Sequence, residues 1–218
     1  MPMANRPNFV RQMKAVLAQL EQQGERPGLV LHACCGPCSS SVLEVLEEHF
    51  DLTILYYNPN TWPPAEYRRR GDELAKFLER SGRAGRVKLV EGEYDPQVFY
   101  DLAAGHEDDP ERGNRCTLCY RMRLERTVQY AKAHGIPWFC STLSLSPHKD
   151  ALRLNAIGEE LAEQYGVKHL PNEFKKQDGY RRSLELSAEY GLYRQDYCGC
   201  EFSAKAAAAG RLRASGEN

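Results

Sequence analysis

Apolar residues recur with helical and then strand-like spacing from the start of the chain. Val10, Met13, Val16, Leu17 and Leu20 fall three or four apart, which predicts an amphipathic helix over residues 8–23. Residues 28–33 (GLVLHA) form a short apolar run that reads as a buried strand. After a cysteine-bearing loop, Ser39, Ser40 and Ser41 offer hydroxyls that suit a helix start, so a helix is expected from there through Phe50. Residues 52–57 (LTILYY) are the next strand, closed by Asn58-Pro59-Asn60.

The same alternation continues. Helices are predicted over 65–82, 95–104, 147–165 and from Cys116, or just after it, to His134. Strands are predicted over 87–90, 138–142 and 168–170. The polar runs 105–115 (GHEDDPERGNR) and 172–182 read as loops, the second of them basic. One more helix follows, then a cysteine-bearing C-terminal segment over about 193–214, whose alanine-rich part, 201–213, is expected to be helical; 215–218 are expected to fray. Short apolar strands alternating with helices predict a single three-layer, Rossmann-like α/β domain over 1–218 with a mostly parallel sheet. Ligands of such sheets bind outside the carboxyl ends of the strands, where the first cysteines fall.

Composition narrows the class. At 42% hydrophobic and 27% charged, the 218 residues are those of an ordinary globular protein, and a net charge of −1 argues against a general nucleic-acid binder. The apolar runs at 29–33 and 52–57 are too short to span a membrane, and Met1-Pro2-Met3-Ala4-Asn5-Arg6 opens no apolar leader; the expected location is the cytoplasm, with no membrane partner. A reducing compartment gives clustered cysteines metal or redox roles rather than structural disulfides.

Seven of the eight cysteines are clustered. Cys34-Cys35-Gly36-Pro37-Cys38 lies in a tight turn, Cys116-Thr117-Leu118-Cys119 at a predicted helix start, and Cys198-Gly199-Cys200 near the C-terminus. Amides at a helix start favour thiolate over thiol. Cys140, alone in a predicted strand, is expected to be a core residue. A [4Fe–4S] cluster takes four thiolates, so seven leave a surplus for a second metal or a redox-active dithiol. Structural zinc also uses C-x-x-C pairs, but the adjacent Cys34 and Cys35 are unusual for zinc, and a chain this long needs no structural ion. A non-enzymatic zinc RNA-binding module is therefore one rival reading. An ATP-dependent tRNA sulfurtransferase is another, although the phosphate loop S-G-G-x-D-S it needs is replaced by CCGPCSS. Neither a C-x-x-x-C-x-x-C motif nor a P-loop occurs.

The blocks HACCGPCSS, YYNPN with EYRRR, RCTLCYRMRLERT, FCSTLSLSPHKD, NEFKKQDGYRRS and YRQDYCGCEFS, in this order over residues 30–203, resemble the epoxyqueuosine reductases of the QueH type. That resemblance implies a fold like the adenine-nucleotide hydrolase (HUP-like) group and the reduction of epoxyqueuosine to queuosine at the wobble position of tRNA, without cobalamin. It places a [4Fe–4S] cluster on Cys34, Cys35, Cys116 and Cys119. It makes Cys198 and Cys200 a redox-active pair, able to form a disulfide, or ligands of a second iron shared with Cys38. An electron donor is implied as a partner. His32, His148, Lys149, Asp196 and Tyr197 are candidate proton donors within the blocks, and Tyr120 and Tyr197 flank cysteines they are placed to support. For the anticodon loop, basic clusters at Arg68-Arg69-Arg70, Lys175-Lys176 and Arg181-Arg182 suit phosphate, with Tyr67, Tyr180 and Tyr193 suited to stacking. Lys175, Lys176, Arg181 and Tyr193 are the expected substrate contacts.

Overall fold

The computed structural model describes residues 7–215, and side-chain environments up to residue 211. Residues 1–6, which bear on the leader, and 216–218, most of the expected frayed end, lie outside it.

Five strands form one sheet: β1 (Gly28–Ala33), β2 (Asp51–Tyr56), β3 (Lys88–Glu91), β4 (Trp138–Ser141) and β5 (Lys168–His169). All pair in parallel in the order β3-β2-β1-β4-β5. The chain winds outward from β1 in one direction to β3, then returns to β1's other side for β4 and β5. This reversal opens a crevice beyond the carboxyl ends of β1 and β4, the ligand position of doubly wound sheets.

Eight α-helices lie among the described residues: α1 (Phe9–Gln23), α2 (Gly36–Leu46), α3 (Pro64–Arg80), α4 (Pro96–Ala103), α5 (Asn114–Ala133), α6 (Ala151–Tyr165), α7 (Gly179–Glu189) and α8 (Glu201–Ser215), and a short 3-10 turn follows β4 at Thr142–Leu145. Strand alternation divides the core. Leu29, Leu31, Leu52 and Ile54 pack with apolar residues of α1, α2 and α3, whereas Val30, Leu55 and Phe139 pack with those of α4, α5 and α6. With both faces covered, β1 and β2 need continuous apolar runs.

Helix starts differ from expectation at four places. α2 begins at Gly36, not at the serines, because extended Cys35 serves as its cap residue and Pro37 suits the first turn. Ser39 and Ser40 instead bond back to the Cys35 and Pro37 carbonyls. α6 begins at Ala151, because Asp150 caps it by accepting from the Leu152 and Arg153 amides. The basic loop ends early, at Gly179, where α7 starts. α5 opens at Asn114, which puts Cys116 in its first turn.

Candidate metal and redox site

The strand β1 carries the chain to the crevice, and the abrupt passage into α2 gathers three sulfurs there. The Sγ atoms of Cys34, Cys35 and Cys38 all lie within 4.8 Å of one another. Cys34 Sγ is 3.7 Å from Cys35 Sγ and 3.7 Å from Thr142 Oγ1, just past the end of β4. Hydrogen bonds from Cys35 and Cys38 hold the Cys34 thiol well below its usual range; the same bonds, through Cys34, push Cys35 up to about 12 and raise Cys38. Cys38 thus stands with Cys34 and Cys35, across the division of ligands the resemblance implies.

The other two motifs meet on the far wall. Cys116, Cys198 and Cys200 line one cavity of ≈ 560 Å³, and Cys34, Cys38 and Cys198 line a second of ≈ 480 Å³, so Cys198 borders both. All eight cysteines are free thiols.

Five of the motif sulfurs accept from an N–H. Gln195 Nε2 lies 3.3 Å from Cys35 Sγ, the Arg112 amide 3.3 Å from Cys116 and Arg123 Nη2 3.2 Å from Cys119. Lys149 Nζ lies 3.3 Å from Cys198, and the Ser203 amide 3.4 Å from Cys200. Such donors stabilise sulfur that carries negative charge. Cys140 differs. It is fully buried in the aliphatic core, and burial raises its thiol pKa, as expected for a packing residue.

Two cations are buried beside these sulfurs without a carboxylate partner among the described residues. Arg123 also donates through Nε to the Cys119 carbonyl, 3.1 Å away. Burial alone would lower the pKa of Lys149, but the charges of Cys198 and Cys34 outweigh it and hold the ammonium above its ordinary range. An unpaired buried cation is costly; the nearest groups able to carry a countercharge are the sulfurs, Cys198 for Lys149 and Cys119, whose thiol burial pushes up to about 12, for Arg123.

The C-terminal cysteines are fixed by their backbone. The Trp62 amide donates to the Gly199 carbonyl (2.8 Å), Arg70 Nη1 to the Cys198 carbonyl (3.2 Å), and the Tyr197 hydroxyl to the Trp62 carbonyl. Gly199 sits at φ +134°, and a Cβ there would lie 2.9 Å from Arg70 Nη1.

The remaining candidates divide by burial. His32 is fully enclosed. Its Nε2 faces the Tyr57 carbonyl (3.1 Å) and so carries the proton, while Nδ1 faces Ser141 Oγ (2.9 Å). Burial, with help from Arg123, lowers its pKa to about 4, so it is neutral at pH 7 and structural. His148, Lys149, Asp196 and Tyr197 line the ≈ 480 Å³ cavity. Asp196 also pairs with Arg211. Tyr120 is buried against the α4–α5 face.

The basic clusters are not uniformly exposed. Arg70 and Tyr67 are each 2% exposed, which removes them from any RNA surface. Arg70 pairs with Glu66 at 2.7 Å, and Tyr67 stacks on Tyr94. Lys175 is half-buried and donates to the Lys149 carbonyl at 2.9 Å, thereby holding the loop that carries Lys149. Lys176 is exposed, and exposed Arg181 pairs with Asp178 and Glu185. Arg182 makes a two-pronged pair with Glu44. Tyr180 lines the cavity, and Tyr193 lies under Arg69 with its hydroxyl on Glu66. Arg112, Arg123 and Gln195 emerge only from the structure. Arg123 was findable, four residues after Cys119 on one helix face; a backbone donor such as Arg112 leaves no trace in sequence.

The family model for epoxyqueuosine reductase QueH matches residues 29–206. The epoxyqueuosine reductase QueH of Staphylococcus epidermidis is 41% identical over 201 residues, covering 90% of this chain and 84% of its own. That of Streptococcus pyogenes is 39% identical over 200 residues, covering 91% of this chain and 78% of its own. Among solved structures, an NMN synthetase from Francisella tularensis aligns over 97% of this chain and 96% of its own at 10% identity, with a TM-score of 0.39 that is too low to carry an argument. No described helix is long and apolar enough to cross a membrane. On the match of the family model and on relatives about two-fifths identical over nine-tenths of its length, this chain belongs to the epoxyqueuosine reductase QueH family.

Proposed function

We propose that this chain is an oxidoreductase that completes queuosine in tRNA, reducing the epoxide of epoxyqueuosine to an alkene without cobalamin. The overall change takes up two electrons and two protons and releases the epoxide oxygen as water. The observation that carries this reading is the donor set: the Sγ atoms of Cys34, Cys35 and Cys38 lie within 4.8 Å of one another at the carboxyl end of β1, Cys198 borders both their cavity and that of Cys116 and Cys200, and five motif sulfurs are bonded by N–H groups beside two buried cations.

That set fits an iron–sulfur cluster, which needs four soft thiolates and is tuned by hydrogen bonds to sulfur. Cys34, Cys35, Cys116 and Cys119 would hold it. Cys38, Cys198 and Cys200 would hold a second iron, or Cys198 and Cys200 would act as a dithiol. A disulfide across one intervening glycine closes a small, strained ring, which favours easy re-reduction by an electron donor. When bound, the cluster supplies electrons singly, and the neighbouring iron or dithiol supplies the second equivalent. The protein's own groups do the rest. Lys149 balances negative charge at Cys198 and presents N–H bonds to the cavity where the epoxide oxygen departs. Proton delivery is assigned to His148, which lines that cavity, while the Tyr197 hydroxyl is engaged by the Trp62 carbonyl and holds the strap. Lys176 and Arg181 are assigned to phosphates of the RNA, Lys175 fixes the Lys149 loop, and Tyr193 contributes from the α3 side, where it supports Arg69.

The test is metal analysis with EPR on anaerobically purified wild type and Cys116→Ala, followed by turnover of epoxyqueuosine tRNA. A brown protein with about four irons or more, a reduced-state EPR signal and loss of both in the variant are expected. Stoichiometric zinc, without iron–sulfur signals even after reconstitution, would overturn the reading in favour of a zinc RNA-binding module.

A further inference from the structure

We infer that the exposed indole of Trp62, just ahead of the helix α3 that carries exposed Arg68 and Arg69, is the platform on which single-stranded RNA next to the target nucleotide docks; this rests on the proposed tRNA substrate. Trp62 is 40% exposed, and it is the one aromatic among the large hydrophobic side chains exposed in the described residues. Its exposure is not that of a loose loop. Its amide and carbonyl are both bonded to the cysteine-bearing strap, and the preceding Asn60 and Thr61 are buried, with Tyr94 donating to the Thr61 carbonyl at 2.7 Å. A rigid backbone therefore presents a large apolar face to solvent.

Its position follows from the same bonds. Trp62 is held by Tyr197 and Gly199, and Tyr197 and Cys198 line the ≈ 480 Å³ cavity. The indole thus stands at the outer edge of the wall that carries the proposed redox cysteines. The nucleotide assigned to it is a neighbour of one held in the cavity.

Charge selects RNA over a protein partner. Arg68 and Arg69 are exposed, and neither has a carboxylate within ion-pair distance among the described residues, whereas inward-facing Arg70 is paired with Glu66. The Arg69 guanidinium lies 3.3 Å from the Tyr193 ring centroid, which fixes it without cancelling its charge. Uncompensated arginines on the helix that follows a rigidly held aromatic face match the combination that holds phosphates and an unstacked base.

The test uses the full chain carrying Trp138→Phe, so that Trp62 is the one tryptophan left. Trp138 begins β4 at the opposite end of the sheet and packs on Phe50. An anticodon stem-loop RNA lacking the modified base is titrated, with Trp62 fluorescence and labelled-RNA anisotropy as readouts. Saturable quenching is expected. Trp62→Ala should weaken binding about 10-fold or more and Trp62→Phe less, the usual range for loss of one stacking platform. Arg68→Gln with Arg69→Gln should flatten the salt dependence by roughly one and a half units of log–log slope. Matching thermal melts exclude misfolding. RNA affinity unchanged in Trp62→Ala overturns the inference alone, and RNA binding seen by anisotropy with no change in Trp62 fluorescence does the same. A wild type that binds no RNA yet reduces the free nucleoside overturns it together with the tRNA substrate, and so separates the two failures.

Discussion

Replacing Gly199 by alanine tests whether the strap that positions Cys198 and Cys200 is built as described. The glycine sits at φ +134°, a conformation L-residues seldom adopt, and strain of this kind costs about 1–3 kcal/mol. The added Cβ would also approach Arg70 Nη1 at 2.9 Å and must displace it or the strap. Displacement breaks the bond from Arg70 to the Cys198 carbonyl, a charged-donor bond worth about 1.5–3 kcal/mol. Together these amount to a loss of roughly 2.5–6 kcal/mol, or about 5–24 °C in Tm for a domain of this length if the strap unfolds with the core. If it detaches first, the melt shifts less, and Cys198 and Cys200 become quickly alkylated in the metal-free protein. Differential scanning calorimetry and alkylation read by mass spectrometry separate the two routes. Gly210→Ala is the control. Nothing lies within 4 Å of its added Cβ on helix α8, so it should be neutral or stabilising by up to about 1 kcal/mol. A Gly199→Ala protein with wild-type melting and wild-type alkylation would refute the argument.

Lys149→Gln keeps much of the side chain but removes the cation beside Cys198; turnover should fall about 10–100-fold with KM for tRNA little changed, as for other groups that support metal or redox sulfur, and steady-state kinetics check it. Cys140→Ala should cost about 1 kcal/mol in denaturant melts and leave the iron content at wild-type level, whereas Cys35→Ala should lower it. Asp150→Ala removes the cap of α6 and should cost about 0.5–2 kcal/mol, roughly 2–6 °C in Tm. His169 supplies a pH dependence. Burial lowers its folded pKa to about 4 from 6.5, so the unfolded chain takes up the proton first as pH falls; its neutral, stabilising state is intact above pH 6.5 and is lost progressively down to pH 4. Urea melts of His169→Gln should show a shallower fall than wild type across that window, and parallel curves would contradict the assignment.

Much of the fold was legible because period-two and period-3.6 patterns report burial directly. Both central strands came within one residue of their observed ends, since a strand covered on both faces has no polar alternation to blur its limits. The start of α2 was not legible in the same way. Gly-Pro reads as a turn in isolation, yet extended Cys35 before it makes the pair a helix entry. That difference matters chemically. A true loop would have left Cys34, Cys35 and Cys38 to find one another, whereas a strand running straight into a helix fixes two of them at the junction and the third one turn on.

The site shows a sharper limit, because residue type fixes what chemistry is available but not which charges are spent on structure. Three consecutive arginines look equivalent in sequence, but the helix period turns Arg70 inward against Glu66 and the Cys198 carbonyl and leaves Arg68 and Arg69 facing water. The Lys175-Lys176 pair divides likewise, with Lys175 spent on the Lys149 carbonyl. The buried members of these clusters therefore hold the Cys198–Cys200 strap and the Lys149 loop in place, and only the exposed members remain for the proposed RNA contact. A charge-reversal scan read only through tRNA affinity would merge the two groups. Arg70→Glu should fail through loss of the Cys198 position, visible as faster alkylation of that thiol, while Arg68→Glu should weaken RNA binding and leave alkylation unchanged.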